Sequence, residues 1–355
     1  MMLFDEKVSL SQKIIWKYNP RMTLGLLDSG KEEYNYRNKS VYTFNLNNSY
    51  LDQRSFDLID LDHSKMIQFI DRRTNREFNS LKASYGILDV YIKHNWRREF
   101  QVAFHIWSNP ENTGCLPKLV KYLFGLIKAL REILSLNIVS GYYYEYQKGK
   151  GLKDKEFKLF YGLKKLEENL GYGDSIYLSP HSFSRVNYSN SQIIYRRVWE
   201  LVSQNPDTYM LFGRDVYFPL KQMAGKGKST VAFTHCPITY RDIQEDTEIG
   251  ESGKCFLVSK RKYAPSMGEY MAGHPGGKFC FVLTAGRNGL GEKICEMLRS
   301  YRGQISQVVY IGCNRKHMDG DLGRLLRDDL YTLQGCDISN EFSQTEYNNN
   351  IAWLD

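Results

Sequence analysis

A chain of 355 residues is longer than one hydrophobic core usually serves, so two domains are expected, each long enough to bury its own core. Hydrophobic residues at 42% and charged residues at 25% exclude a disordered or fibrous chain, and 26 Tyr with 18 Phe make it unusually aromatic. The excess of 48 Lys and Arg over 40 Asp and Glu, a net +8, favours a polyanionic partner, and RNA, DNA or an anionic membrane would each fit.

The opening residues, MMLFDEKVSLSQK, carry Asp5 and Glu6 and no long apolar core, unlike a secretory signal or an Arg-rich transit peptide. Up to about residue 110 short alternating runs follow: SVYTFN at 40–45, GILDVYIK at 86–93 and EFQVAFHIW at 99–107. Their period of two predicts antiparallel strands. Between 116 and 136, Leu116, Val120, Leu123, Phe124, Ile127, Leu130 and Leu134 recur at helical spacing, predicting a helix packed on those strands. Lys118, Lys121, Lys128 and Arg131 interrupt this stretch, which excludes a membrane span and points to a protein with no membrane partner. An aromatic strand, IVSGYYYEY at 138–146, leads into the basic, Gly-rich QKGKGLKDKEFK, the best loop or linker candidate.

The C-terminal half alternates differently. DTYMLF (207–212), STVAFTH (229–235), KFCFVL (278–283) and QVVYIG (307–312) read as strands buried on both faces, with NSQIIYRRVWELVSQ (190–204) and GLGEKICEMLRSY (289–301) as crossover helices. The fold class expected is α/β plus α+β. An N-terminal antiparallel α+β RNA-binding domain, residues 1–168, precedes a doubly wound, Rossmann-like domain, residues 169–355.

Seven Cys, at 115, 236, 255, 280, 295, 313 and 336, contain no C-x-x-C pair, so neither a zinc ribbon nor a redox dithiol is spelled out, and reduced thiols are expected. AGKGKST (224–230) ends like a phosphate loop, but Gln222 stands where its first Gly belongs. GHPGGK (273–278) reads as a turn before a strand, and His235, His274 and His317 lack metal-ligand spacing, so no metal is expected.

SPHSFSRVN (179–187) and VVYIGCN (308–314) followed by DLGRLL resemble the RNA uracil-C5 methyltransferases, which form 5-methyluridine in tRNA and rRNA. YRNK (36–39), GLKKLEENLGYGDSIYLSPHSF (162–183) and GRNGLGEKI (286–294) extend the resemblance through most of the chain in motif order. It implies S-adenosyl-L-methionine as cofactor and Cys313 as the nucleophile. The thiolate adds to uracil C6, C5 takes the methyl group, a base removes the C5 proton, and the thiol leaves. Arg37, Lys39, Arg97, Arg98, Phe183, Arg185 and Asn187 become RNA-contact candidates, and Gly213, His235 and Arg287 fall at the cofactor positions.

The chain departs from the family's pattern at those positions. Met210 stands in place of an acid on the first strand, Gly213 is one glycine where the family has a pair, and His235 replaces the acid that grips the ribose. TAGR (284–287) replaces Asp-Pro-Pro-Arg, Arg185 replaces a glutamine, and Asn349 falls at the catalytic glutamate; an amide accepts no proton at neutral pH. Glu346 is the nearest candidate substitute.

The expectation is an RNA-binding protein with a degenerate cofactor site, intracellular in the cytoplasm or mitochondrion and associated with structured RNA (tRNA or rRNA) and with ribosomal or assembly proteins. Without catalysis it needs no cofactor. Basic residues beside aromatics, as in Lys93, His94, Trp96, Arg97 and Arg98, Lys148, Lys150 and Lys153 after Tyr142, Tyr143 and Tyr144, and Arg196 and Arg197, suit phosphate contact with base stacking; a solvated basic surface fits any single cluster equally well. The alternatives are an active S-adenosylmethionine-dependent uracil-C5 methyltransferase using Cys313, and a structural subunit that binds protein through the surviving sheet.

Overall fold

The structure, a computed structural model, describes residues 4–27, 37–43, 60–78, 85–108, 115–145, 156–169, 174–202, 206–342, 345 and 347–355. Lys148, Lys150, Lys153 and Glu346 lie outside them. The chain opens with α1 (Phe4–Tyr18), β1 (Gly25–Leu27), β2 (Lys39–Thr43), α2 (Leu61–Phe78), β3 (Tyr85–His94), β4 (Glu99–Ser108) and α3 (Cys115–Leu134). Next come β5 (Asn137–Glu145), β6 (Lys158–Gly162), β7 (Leu166–Asn169), β8 (Ser175–Leu178), α4 (Tyr188–Leu201), β9 (Thr208–Phe212), α5 (Tyr217–Ala224), β10 (Thr230–Thr234) and α6 (Pro237–Gln244). The remainder is β11 (Gly253–Leu257), α7 (Tyr263–Ala272), β12 (Phe279–Gly286), α8 (Glu292–Ser300), β13 (Ile305–Gly312), α9 (Arg315–Leu325), β14 (Leu333–Ser339) and β15 (Asn349–Leu354). Among the described residues no helix is long and apolar enough to cross a membrane.

Two compact units result: 33–169 with 177–182, and 1–32 with 170–176 and 183–355. The sequence predicts a first domain over 1–168; α1 and β1 belong instead to the larger unit, with the C-terminal half. In the smaller unit the sheet order is β2-β3-β4-β5-β6, antiparallel except for β4 with β5. That pair runs parallel because α3 carries the chain back across the sheet before β5 begins, a crossover no tight turn could make. Leu119, Leu123, Ile127 and Leu130 of α3 pack with Met66, Ile67 and Ile70 of α2 over Val90, Ile92, Val102 and Phe104. Each such side chain, fully buried, contributes roughly 1.5–3 kcal/mol.

The larger unit holds an eight-stranded sheet in the order β1-β14-β15-β13-β12-β9-β10-β11. All neighbouring strands run parallel except at β15, which is antiparallel to both β13 and β14. Strands β9 and β10 are buried at every position, which is why they read as continuous apolar runs with no alternation. The strand order reverses between β9 and β12, so the crevice at their carboxyl ends is where a doubly wound sheet places its ligand.

Helix α1 adds Ile15 to the core under β14, and its buried stripe reads Lys7, Ser11, Ile15. The Lys7 ammonium donates to Asn340 Oδ1 (3.2 Å) and to the Phe342 carbonyl (2.9 Å), while burial and the nearby Arg315 lower its pKa to about 8. Two polar side chains in that stripe explain why hydrophobic spacing did not announce the helix.

Candidate functional site

At the switch point β9 ends in Phe212 and turns through Gly213, whose φ of +121° favours glycine. Its N–H donates to the Phe233 carbonyl (3.1 Å), and a Cβ built on it would lie 2.6 Å from the Thr284 carbonyl oxygen of β12. Both strain and contact oppose a side chain here. Gly213→Ala is expected to destabilise the larger unit by about 1–3 kcal/mol, read as a lower urea midpoint with unchanged slope.

Beyond that turn stands Asp215, and it is not free. Arg185, on the segment leading into α4, is buried with its Nε 2.7 Å from Asp215 Oδ2 and its Nη1 2.8 Å from Glu341 Oε2. Tyr195 on α4 donates its hydroxyl to Asp215 Oδ1, and Asn349 at the start of β15 donates its amide to Glu341 Oε2. Burial alone would lower the Arg185 pKa; Asp215 and then Glu341 raise it above the ordinary value. Burial, followed by Asp215, likewise raises that of Tyr195. The result is a charge cluster with one cation between two carboxylates.

Cys313 follows β13, half-buried beside this cluster. Burial and then Glu341 push its thiol pKa up, while Arg287 and Arg185 oppose the shift. A raised pKa is the reverse of what activates a nucleophilic thiol. Asn349, at the position where the resemblance puts the catalytic glutamate, spends its amide on Glu341 rather than facing open crevice. Arg287 lies over the Tyr347 ring at 4.8 Å, and His235 Nδ1 is 2.6 Å from the Tyr263 hydroxyl. Cys313, Arg185 and Arg287 are therefore brought together, with Gly213 and His235 on neighbouring strand ends. Asp215 and Glu341 escaped the sequence reading, although an acid within three residues of a strand's carboxyl end is a signal worth noting in any doubly wound fold.

The other RNA-contact candidates have partners of their own. Asn187 is the N-cap of α4, accepting from Asn190 N at 3.1 Å, and the Phe183 N–H donates to Thr239 Oγ1 at 3.2 Å. In the smaller unit Arg97 is exposed, stacked 4.5 Å over the 42%-exposed Trp96 ring and paired with Glu167 at 3.0 Å. That pair offers a stacking face with a cation beside it. Lys39 stands opposite Lys93 across the β2–β3 ladder, and the Arg37 carbonyl accepts from Asp60 N.

Arg98 is tied down, with Nη1 2.5 Å from Asp60 and Nη2 on Asp62. Beside it Asp60, His63 and His94 are all buried and have the composition of a metal site. Their ligand atoms lie within 4.8 Å of one another, and the two imidazoles also form a hydrogen-bonded chain: Arg98 Nη1 to His94 Nε2 (3.4 Å), His94 Nδ1 to His63 Nε2 (2.9 Å), His63 Nδ1 to Ser40 Oγ (2.7 Å). If Arg98 donates at one end, a single tautomer order satisfies every link, and both imidazoles are neutral.

No protein-family model and no curated protein sequence matches the chain. Solved structures do. The Pyrococcus abyssi tRNA (uracil-54, C5)-methyltransferase, in complex with S-adenosyl-L-homocysteine, superposes with a TM-score of 0.67 at 14% identity, over 100% of this chain and 84% of that one. Trm5b from the same organism gives 0.41 at 13%, over 71% and 72%. A SAM-dependent methyltransferase from Agrobacterium tumefaciens gives 0.39 at 9%, over 77% and 90%. At 14% identity the first likeness is one of fold alone, and it extends over the whole of this chain.

Proposed function

We propose that the chain is an RNA-binding protein on a methyltransferase scaffold, catalytically degenerate and acting with tRNA or the ribosome as a structural or assembly factor. The observation that carries this reading is the buried Arg185 between Asp215 and Glu341. It consumes both carboxylates in the region where a cofactor and a base would need them, beside a thiol whose pKa is raised. Shape, backbone contact and stacking suffice for binding RNA without chemistry. The exposed Trp96–Arg97 stack is a fitting contact of that kind.

A second reading has one observation in its favour. Glu341 is close enough to Cys313 to influence its ionisation and could take the role of base in an active uracil-C5 methyltransferase that uses Cys313. Calorimetric titration with S-adenosylmethionine and S-adenosylhomocysteine separates the two. The first reading expects no heat with either ligand, salt-sensitive RNA binding, and the same RNA affinity in Cys313→Ala. Micromolar cofactor binding together with a covalent Cys313 adduct on 5-fluorouridine RNA would establish the second.

A further inference from the structure

Among the described residues, Asp60, His63 and His94 bring three metal-ligating side chains together in the smaller unit, and neither functional reading uses them. Asp60 immediately precedes α2, His63 lies in the first turn of that helix, and His94 ends β3. All three are buried. The main chain fixes their positions: Asp60 N–H donates to the Arg37 carbonyl (3.3 Å) and His94 N–H to the Asn38 carbonyl (2.9 Å), so two adjacent residues anchor both sides of the group.

The surroundings suit a metal ion. Two imidazoles stand edge to face at 5.0 Å, with the Phe100 ring beside both, at 5.8 Å from His63 and 5.2 Å from His94. Polar ligands inside an apolar wall, each steadied by an outer hydrogen bond, are the usual make-up of a transition-metal site. His63 has that outer bond. Its Nδ1 is 2.7 Å from Ser40 Oγ, and with this nitrogen donating, Nε2 carries the lone pair. The Nε2 atom lies 2.9 Å from His94 Nδ1. Two nitrogens held at about 2.0–2.1 Å by one tetrahedral ion stand about 3.3–3.4 Å apart, so the pair needs to part by only about half an ångström to share one.

We infer that Asp60, His63 and His94 form a binding site for a divalent transition-metal ion of the zinc class, which ties the start of α2 to the end of β3. The ion takes the place of the proton between His63 Nε2 and His94 Nδ1; that proton passes through solvent to His94 Nε2, and one Asp60 oxygen becomes the third ligand. Two imidazoles with one carboxylate select such an ion over magnesium or calcium, which prefer oxygen ligands. Three protein ligands leave one position to water, so an exchangeable, micromolar site is expected rather than a closed one. Arg98 is the competitor. Its Nη1 lies 2.5 Å from Asp60 Oδ2 and 3.4 Å from His94 Nε2, while Nη2 holds Asp62. About half of the Arg98 side chain is exposed, so it can withdraw to Asp62 as the ion enters. The inference does not rest on the RNA-binding reading.

The test uses the full chain stripped with EDTA. Zinc chloride is titrated by calorimetry and in thermal melts, with magnesium chloride as the control. Cobalt chloride serves as a visible-absorption probe that tells nitrogen and oxygen ligands from the thiolates of the seven cysteines. Expected are a single zinc ion per chain, a melting temperature that rises with zinc and not with magnesium, and a cobalt spectrum without thiolate charge-transfer bands. His94→Gln and Asp60→Asn should each weaken zinc binding about tenfold or more. Arg98→Gln, which removes the competing charge, should tighten it several-fold. Those opposite signs separate a metal site from a purely structural cluster, in which loss of any member would act alike. Absence of zinc binding, equal binding of magnesium, a thiolate-ligated cobalt spectrum, unchanged affinity in His94→Gln, or an Arg98→Gln affinity no tighter than wild type overturns the inference. Should Asp60→Asn or His94→Gln fail to fold, the wild-type cobalt spectrum and the Arg98→Gln titration decide it.

Discussion

Arg185→Met is expected to destabilise the larger unit by about 3–5 kcal/mol, the usual consequence of removing one partner from a buried ion pair. Met restores most of the volume but leaves two carboxylates without a cation where water scarcely reaches, since the Asp215 and Glu341 side chains are 5% and 1% exposed. Tyr195 and Asn349 still donate to them, and two neutral donors do not replace a guanidinium. Glu341→Gln should cost less, because an amide oxygen still accepts from Arg185. Urea unfolding followed by tryptophan fluorescence, with Trp199 and Trp353 as reporters in this unit, measures both. A midpoint for Arg185→Met equal to wild type would show that the carboxylates find other partners, and that Arg185 is not what holds Asp215 and Glu341.

The smaller unit is expected to lose stability on mild acidification. Burial holds His94 at a pKa of about 4 and His63 well below its ordinary value, whereas the unfolded chain takes up protons near the ordinary imidazole value of 6.5. Between those values the unfolded state binds more protons than the folded one, so stability is fully present above pH 6.5 and falls as the pH drops toward 4. His94 alone accounts for about 3 kcal/mol over that interval. Chemical denaturation at pH 7.5, 6 and 5 gives the slope, and His94→Gln, which can still accept from Arg98, should flatten it. A wild-type slope near zero across this range would mean that the histidine chain is hydrated and titrates normally.

Four strands of the parallel sheet, β9, β10, β12 and β13, were legible because they are buried along most of their length, and residues such as Met210, Phe281 and Val308 stand in apolar runs. β1, β11 and β14 were not, and neither was β15. Its first residues, Asn349 and Asn350, belong to an Asn run that reads as low complexity, yet they pair with Ser339 and Gly312. The thiol at 313 and the arginine at 185 could be picked out from short motifs, because each sits in a distinctive local string. What Arg185 does could not be read the same way. Its partners lie 30 and 156 residues away, and only the folded sheet brings Asp215 and Glu341 to it. Position 185 reads as a departure from a family glutamine when the string is considered alone, and as the centre of a charge cluster once the strand ends are adjacent.

The pairing of β1 with β14 couples an early segment to a late one, since Gly25 meets Asp337 across the ladder. During synthesis α1 and β1 emerge long before the strand that will receive them, and the whole of the smaller unit is made in the interval. That unit can collapse on its own contacts while the early segment waits, with the backbone groups of β1 still unsatisfied. The large sheet is completed only when β14 and then β15, which joins β14 to β13, have arrived, which makes this pairing a late step in biogenesis and an early opening for a chaperone.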